Sequence, residues 1–250
     1  MTITHQDELD ALRRIGRVVA NTMQAMATAM EPGMTTQELD EIGHELLERE
    51  GAVSAPRATY DFPGTTCISV NEEIAHGVPG PRRLREGDLV NIDVSASLHG
   101  YFADTGASFA LGAVAPELQR LCQDGRRAMQ IGIAKVGHGK PLAGIGNAVG
   151  AFAARRGYTL IRNLASHGIG RALHEAPTEI ATWPNRRDKR KMHDGLVLTV
   201  EPFLSRGGSW AVEGGRDDWT LLASPPAPVV QYEHTVVATK RGPVILTLPG

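Results

Sequence analysis

The stretch DLVNIDVSASLHGYFADTGASF (residues 88–109) puts two carboxylates where a chain ordinarily buries apolar surface. Asp93 lies inside Leu-Val-Asn-Ile-Asp-Val, which otherwise reads as a buried strand, and Asp104 follows eleven residues later in a second, aromatic-flanked run. An isolated carboxylate in such a setting is costly to ionise, so it must be neutralised, paired or bound to a metal.

The pattern recurs further along the chain. Gly87-Asp-Leu-Val-Asn-Ile-Asp93 is echoed by Gly195-Leu-Val-Leu-Thr-Val-Glu201, so a glycine opens each strand and a carboxylate follows six residues later. Ala75-His76-Gly77-Val78 is echoed by Ser166-His167-Gly168-Ile169, and a further acid, Glu233, stands in Val-Val-Gln-Tyr-Glu-His-Thr-Val-Val. In a strand alternate residues share a face, so Asp93 sides with Asn91, Glu201 with Thr199 and Glu233 with Gln231. Polar neighbours of this kind suit the outer shell of a bound ion. The opposite faces, with Val90, Ile92, Val94, Val230 and Val236, are free to pack against helices.

Helical patterns flank these strands. Leu9, Leu12, Ile15, Val18, Val19, Met23 and Met26 recur at three-and-four spacing and predict a helix from residue 6 to about 30, stopped by Pro32-Gly33. A second opens at Thr35 or Thr36 and runs to Gly51. The plan repeats near 116–135 and near 141–156, the latter ending at Gly157. We read a duplication into halves of about 1–115 and 116–250 within a single catalytic domain, whose facing strands would bring four carboxylates together at the seam.

Composition narrows the setting. The chain has 250 residues, a net charge of −2 and two cysteines, Cys67 and Cys122, at no zinc or redox spacing. That balance gives no general pull toward DNA or a membrane. No signal peptide and no run of eighteen apolar residues is seen, so a cytoplasmic protein is expected. The basic run Arg186-Arg187-Asp188-Lys189-Arg190-Lys191 reads first as a solvated loop.

Four buried carboxylates cannot all stay ionised without counter-charge. Two divalent cations would cancel four charges, and oxygen ligands with a single imidazole suit Mn, Fe, Co or Zn. Taken singly, each acid is more often capped or salt-bridged than a ligand; the matched halves favour a metal. Gly144-Ile-Gly146-Asn-Ala-Val-Gly150 looks like a dinucleotide loop, yet its spacing is wrong and it falls inside a helix. His174-Glu175-Ala-Pro is not the His-Glu-x-x-His of helical zinc proteases.

Taken together, NEEIAHGVP, NIDV, FADT, SHGIGRALHEAP, TVEP and QYEHT, carrying His76, Asp93, Asp104, His167, His174, Glu201 and Glu233, resemble the type I methionine aminopeptidases over residues 8–247. The resemblance implies the pseudo-two-fold pita-bread α/β (α+β) fold, an antiparallel sheet covered by two helix pairs with a dinuclear site at the seam. It implies Asp93 and Asp104 on one ion, His167 and Glu201 on the other, and Asp104 and Glu233 as bridges. The implied reaction is attack of a metal-bridging hydroxide on the first peptide bond, releasing the initiator methionine when the next residue is small. Glu201 would receive the proton, His174 would donate to the carbonyl oxygen and His76 would contact the backbone nitrogen. Phe62, Cys67, Trp219 and Thr59 or Tyr60 would surround the methionine side chain, whose thioether suits aromatic walls. His234, on the other strand face, is expected to be structural.

Two departures from that family bear on selectivity: residues 56–62 read Pro-Arg-Ala-Thr-Tyr-Asp-Phe in place of the usual pocket lead, and Leu173 stands where an aromatic is common. Both thin the aromatic wall. Proline-specific relatives normally carry another N-terminal domain, for which this chain has no room, and type II enzymes carry an insert that the interval from His167 to Glu201 does not accommodate. A binding module that had lost its metal should have lost ligands, and none is lost here. The expected partners are nascent N-termini at the ribosome, with residues 186–191 as a candidate contact to its RNA, and the expected state is a monomer.

Overall fold

Helix α1 (Gln6–Ala29) buries Leu12, Ile15, Val19 and Met26 completely, on the face that the apolar spacing implies. Helix α2 (Thr36–Arg49) starts with a capping box in which Thr35 Oγ1 accepts from Glu38 N at 3.1 Å and Thr35 N donates to the Glu38 carboxylate at 2.7 Å. The two helices cover one face of an antiparallel hairpin, Leu89–Leu98 with Tyr101–Ala110, against which Val90, Ile92 and Val94 pack. The hairpin turns at His99-Gly100, both with positive φ (52° and 78°), the two-residue connection that matches strand twist. Its register sets Asp93 opposite Gly106 and Ser95 opposite Asp104. Both acids therefore lie on the face turned away from α1 and α2.

The computed structural model describes residues 1–214 and 217–250. After α2 comes a short helix, α3 (Ala55–Tyr60), opened by Ser54 as cap with Pro56 in its first turn and closed by Asp61 at φ 58°. Sequence reading assigned no element to 56–62; a serine cap followed by proline in the first turn was the signal that could have revealed the helix.

In the second half α4 (Pro116–Ile133) and α5 (Ala143–Arg156) cover a five-stranded antiparallel sheet. Its order is Gly242–Ile245, His234–Thr239, Leu196–Val200, Ser166–Gly168 and Glu175–Ile180. Val200 and Val236 join the α4–α5 core cluster, as does Val230 from the neighbouring strand Val229–Gln231. The Gly-rich 144–150 segment lies within α5, and its role is steric. A Cβ at Gly146 would stand 2.2 Å from Trp183 O, so glycine lets the loop at Trp183 rest on the helix.

The halves meet along Tyr101–Ala110 and residues 229–235. Glu233 N donates to Gly106 O at 2.8 Å and Thr105 Oγ1 donates to Glu233 O at 2.8 Å. Asp104 N donates to Thr235 Oγ1 at 3.0 Å, and that hydroxyl in turn donates to Asp104 O at 2.8 Å. A third cluster draws Leu12 and Ala55 together with Ile169, Leu173, Val197 and Val237, so both halves contribute to it. No described helix is long and apolar enough to cross a membrane.

Thr235 is fully buried, and its hydroxyl meets a donor and an acceptor of the other half. Thr235→Val keeps the shape and leaves both partners unsatisfied. We expect a loss of about 1–3 kcal/mol in urea unfolding; a change within error would show that the seam does not depend on this hydroxyl.

Candidate active site

Side chains from both halves converge on the seam. Ligand atoms of Asp104, His167 and Glu233 lie within 4.8 Å of one another, and all three residues are buried. Asp93 and Glu201 flank this trio. Asp93 shares a side-chain hydrogen bond with Asp104, and Glu201 Oε1 lies 3.5 Å from His167 Nε2.

The polar neighbours implied by strand alternation hold these acids in place. Thr199 Oγ1 donates to Glu201 Oε1 at 2.6 Å. Asn91 Nδ2 donates to Gln231 Oε1 at 2.9 Å, and Gln231 Nε2 donates to Glu233 Oε2 at 2.8 Å, so a relay of amides crosses from one half to a carboxylate of the other. Gln231 can lie there because Gly106 has no Cβ; one would stand 2.3 Å from Gln231 Oε1.

The two His-Gly pairs have a common steric cause. A Cβ at Gly77 would stand 2.1 Å from Ile68 O, and one at Gly168 would stand 2.4 Å from Ala176 O. Each glycine lets a neighbouring strand approach the backbone beside its histidine. His76 itself takes φ 54°, an uncommon conformation for a non-glycine residue, of the kind that gathers at functional sites. His167 Nδ1 lies 3.0 Å from Gly168 O, which puts the ring proton on Nδ1 and leaves the Nε2 lone pair free to bind an ion.

Burial dominates the electrostatics. It raises the carboxyl of Asp93 well above the usual range, with the charge of Asp104 adding to it, and does the same for Glu233. Burial lifts Asp104 to about 6 and Glu201 to about 8, partly opposed at Glu201 by the Thr199 hydrogen bond. It lowers His167 to about 3 and also depresses His76 and His174. The site therefore favours protonated acids and neutral imidazoles until a cation supplies charge.

Next to the acids lies a cavity of about 370 Å³. Phe62, Cys67, Leu164, Leu173, Phe203 and Trp219 line its apolar side; His76, Asp93, Asp104, His167, His174 and Glu201 line the polar one. Phe62 meets Trp219 edge to face, with ring centroids 5.4 Å apart. Cys67 pairs with Asp93 across adjacent strands, and burial pushes its thiol well up, with the nearby acids adding to the effect. Tyr60 lines the cavity and its hydroxyl lies 2.6 Å from His174 Nδ1.

All of the sequence-derived candidates except Thr59, which is exposed, thus gather at one place. Glu233 stands behind the cavity rather than in its lining. His234 bonds Thr247 Oγ1 at 2.9 Å on the other strand face, as expected of a structural histidine. Sequence reading missed Leu164 and Phe203. Phe203, two residues beyond Glu201, restores an aromatic to the wall that Leu173 and the altered 56–62 segment thin; its proximity to a candidate ligand was the available signal. In the basic run, Arg190 is held by Asp188 at 2.8 Å and by Glu179 O, while its neighbours are mostly exposed.

Comparison with known proteins agrees with this geometry. Residues 10–240 match the model of metallopeptidase family M24. The chain is 46% identical over 248 residues to methionine aminopeptidase 2 of Bacillus subtilis, covering 99% of each. It is 45% identical to a methionine aminopeptidase of Staphylococcus epidermidis, over 99% of this chain and 98% of that one. Among solved structures, methionine aminopeptidase from Rickettsia prowazekii superposes with a TM-score of 0.94 at 32% identity, over 99% of this chain and 100% of that one. Prolidase from Pyrococcus furiosus shares the fold, with a TM-score of 0.79 at 19% identity, over 100% of this chain and 66% of that one. With its antiparallel sheets, paired helices and seam of acids in the pita-bread arrangement, the chain belongs to metallopeptidase family M24.

Proposed function

We propose that this chain is a metal-dependent methionyl aminopeptidase that removes N-terminal methionine from nascent polypeptides when the following residue is small. The observation that carries the reading is the meeting of unpartnered buried carboxylate oxygens with an apolar cavity of side-chain size. Asp104 Oδ1 and Glu233 Oε1 are buried and have no hydrogen-bond partner among the described residues. Orphaned anionic acceptors are costly to bury, and a hard cation satisfies them.

The residues present fit a divalent metal: Asp93, Asp104, His167, Glu201 and Glu233 would hold it, and we favour two ions drawn from Mn, Co, Fe and Zn. When bound, the metal supplies the positive charge that keeps these acids ionised and polarises water and the scissile carbonyl. The residues of the chain do the rest. The free α-amine of the substrate is bound at the Asp93 side of the site, and the wall of Phe62, Cys67, Trp219 and Tyr60 receives the thioether side chain. His174 donates to the carbonyl oxygen as negative charge grows there, and His76 contacts the amide nitrogen beside the bond that breaks. Glu201, at the cavity beside His167, would take up the proton released by the attacking water.

The reading extends to a cytoplasmic location, a monomeric state, one catalytic domain of two related halves, and the ribosome as the place of encounter. For the last, the exposed cations of residues 186–191 other than the tied Arg190 are the candidate contact.

Chelator-stripped protein reloaded with Mn, Co, Fe or Zn should release methionine from Met-Ala-Ser; preference for Xaa-Pro peptides would overturn the assignment. Asp104→Asn should abolish turnover in the metal-treated protein while leaving far-UV circular dichroism unchanged, and retained turnover would sink the site.

Proton linkage gives a separate check. Glu201 keeps its proton in the folded metal-free protein up to about 8, against 4.5 for the ordinary group, so the unfolded state binds fewer protons and stability falls as pH rises toward 8. Neutral His167 acts in the opposite sense, but only below its ordinary value of 6.5. Between these limits metal-free protein should melt at lower temperature as pH rises. Metal binding there should release protons, seen by calorimetry in two buffers of different ionisation enthalpy. Absence of proton release would contradict ligation by these acids.

A further inference from the structure

Resting on the reading above, one contact reaches across the halves without a role assigned to it. Tyr60 ends α3 in the first half, and its hydroxyl lies 2.6 Å from Nδ1 of His174 in the second, 114 residues away. The two rings lie 5.7 Å apart, and the His167 ring lies 4.1 Å from that of His174. Nε2 of His174 has no protein hydrogen bond among the described residues.

The placement of Tyr60 is braced. Ser54, the cap of α3, donates to Thr65 O at 2.7 Å, and the buried Asp40 of α2 accepts from Thr65 N at 2.9 Å and Thr66 N at 2.7 Å. Asp61 then turns the chain in the left-handed region, so that Tyr60 goes to His174 while Phe62 goes to Trp219. One short helix thereby serves both the imidazole and the apolar wall.

We propose that Tyr60 is a positioning residue that fixes the tautomer of His174. The phenol O–H donates to Nδ1, and the imidazole proton is carried on Nε2. The 2.6 Å separation is ordinary for an O–H donor and at the short end for an N–H donor, which favours this direction. In a neutral imidazole one nitrogen accepts and the other donates. With the opposite arrangement Nε2 would be an acceptor and would repel the negative charge that grows on the carbonyl oxygen. The tyrosine thus makes a neutral histidine a hydrogen-bond donor.

The test uses zinc-loaded protein with ¹⁵N-labelled histidine, the His174 signals being assigned by their loss in His174→Asn. The parent should show the Nε2–H tautomer, and Tyr60→Phe should lose that single tautomer. The same variant should lower kcat on Met-Ala-Ser by on the order of 10-fold, with KM kept within about two-fold. A parent in the Nδ1–H form, or a Tyr60→Phe protein with the tautomer unchanged, would overturn the proposal. So would a raised KM with unchanged kcat, which would reduce Tyr60 to a pocket wall. If the parent released no methionine, the functional reading would fail, while the tautomer measurement would still decide this one.

Discussion

Four carboxyl groups gathered at one seam repel one another whenever they are ionised, and the backbone must hold them together against that repulsion. The hydrogen bonds of the seam do so in pairs. Thr235 and Thr105 tie the strand of Asp104 to the segment of Glu233, and Gln231 bridges Asn91 to Glu233. Without a cation the site answers the repulsion by keeping protons, as the raised positions of Asp93, Asp104, Glu201 and Glu233 express. The metal and the protons compete for the same oxygens, and two of those oxygens have no hydrogen-bond partner among the described residues. The rigidity that makes the site costly when empty is what pre-organises it for an ion.

Around this centre the backbone is shaped by absence of side chains. Gly77 and Gly168 let strands press against the histidine-bearing turns, and Gly106 lets Gln231 cross the seam. The His-Gly pairs were legible as a repeated motif, but their reason was not. It lies in Ile68 and Ala176, residues whose proximity no spacing along the chain reveals.

Much of the fold could be read directly. The helix periodicities predicted α1, α2 and α4 to within a few residues, because an amphipathic helix writes its buried face into local spacing, while the repeated plan and the stop at Gly157 placed α5. Strand alternation predicted the polar neighbours Asn91, Thr199 and Gln231 for the same reason. The short helix α3 escaped, since six residues are too few to show a period, and with it went the link from Tyr60 to His174. Phe203 escaped too: its place in the pocket depends on how its strand, Phe203–Ser205, is set against the other walls.

By itself the sequence determined the chemical inventory: which acids and imidazoles lie in apolar strands, which residues share a face with them, and that the pattern occurs twice. Those properties are local, fixed by the period of a strand or helix. Only the tertiary structure decided that ligand atoms of Asp104, His167 and Glu233 come within 4.8 Å of one another, that Asp93 and Glu201 flank them, and that Phe203 completes the wall. Those are distances between segments more than a hundred residues apart in places, such as Asp104 and Thr235. They are set by the register of the seam and the packing of four helices upon it.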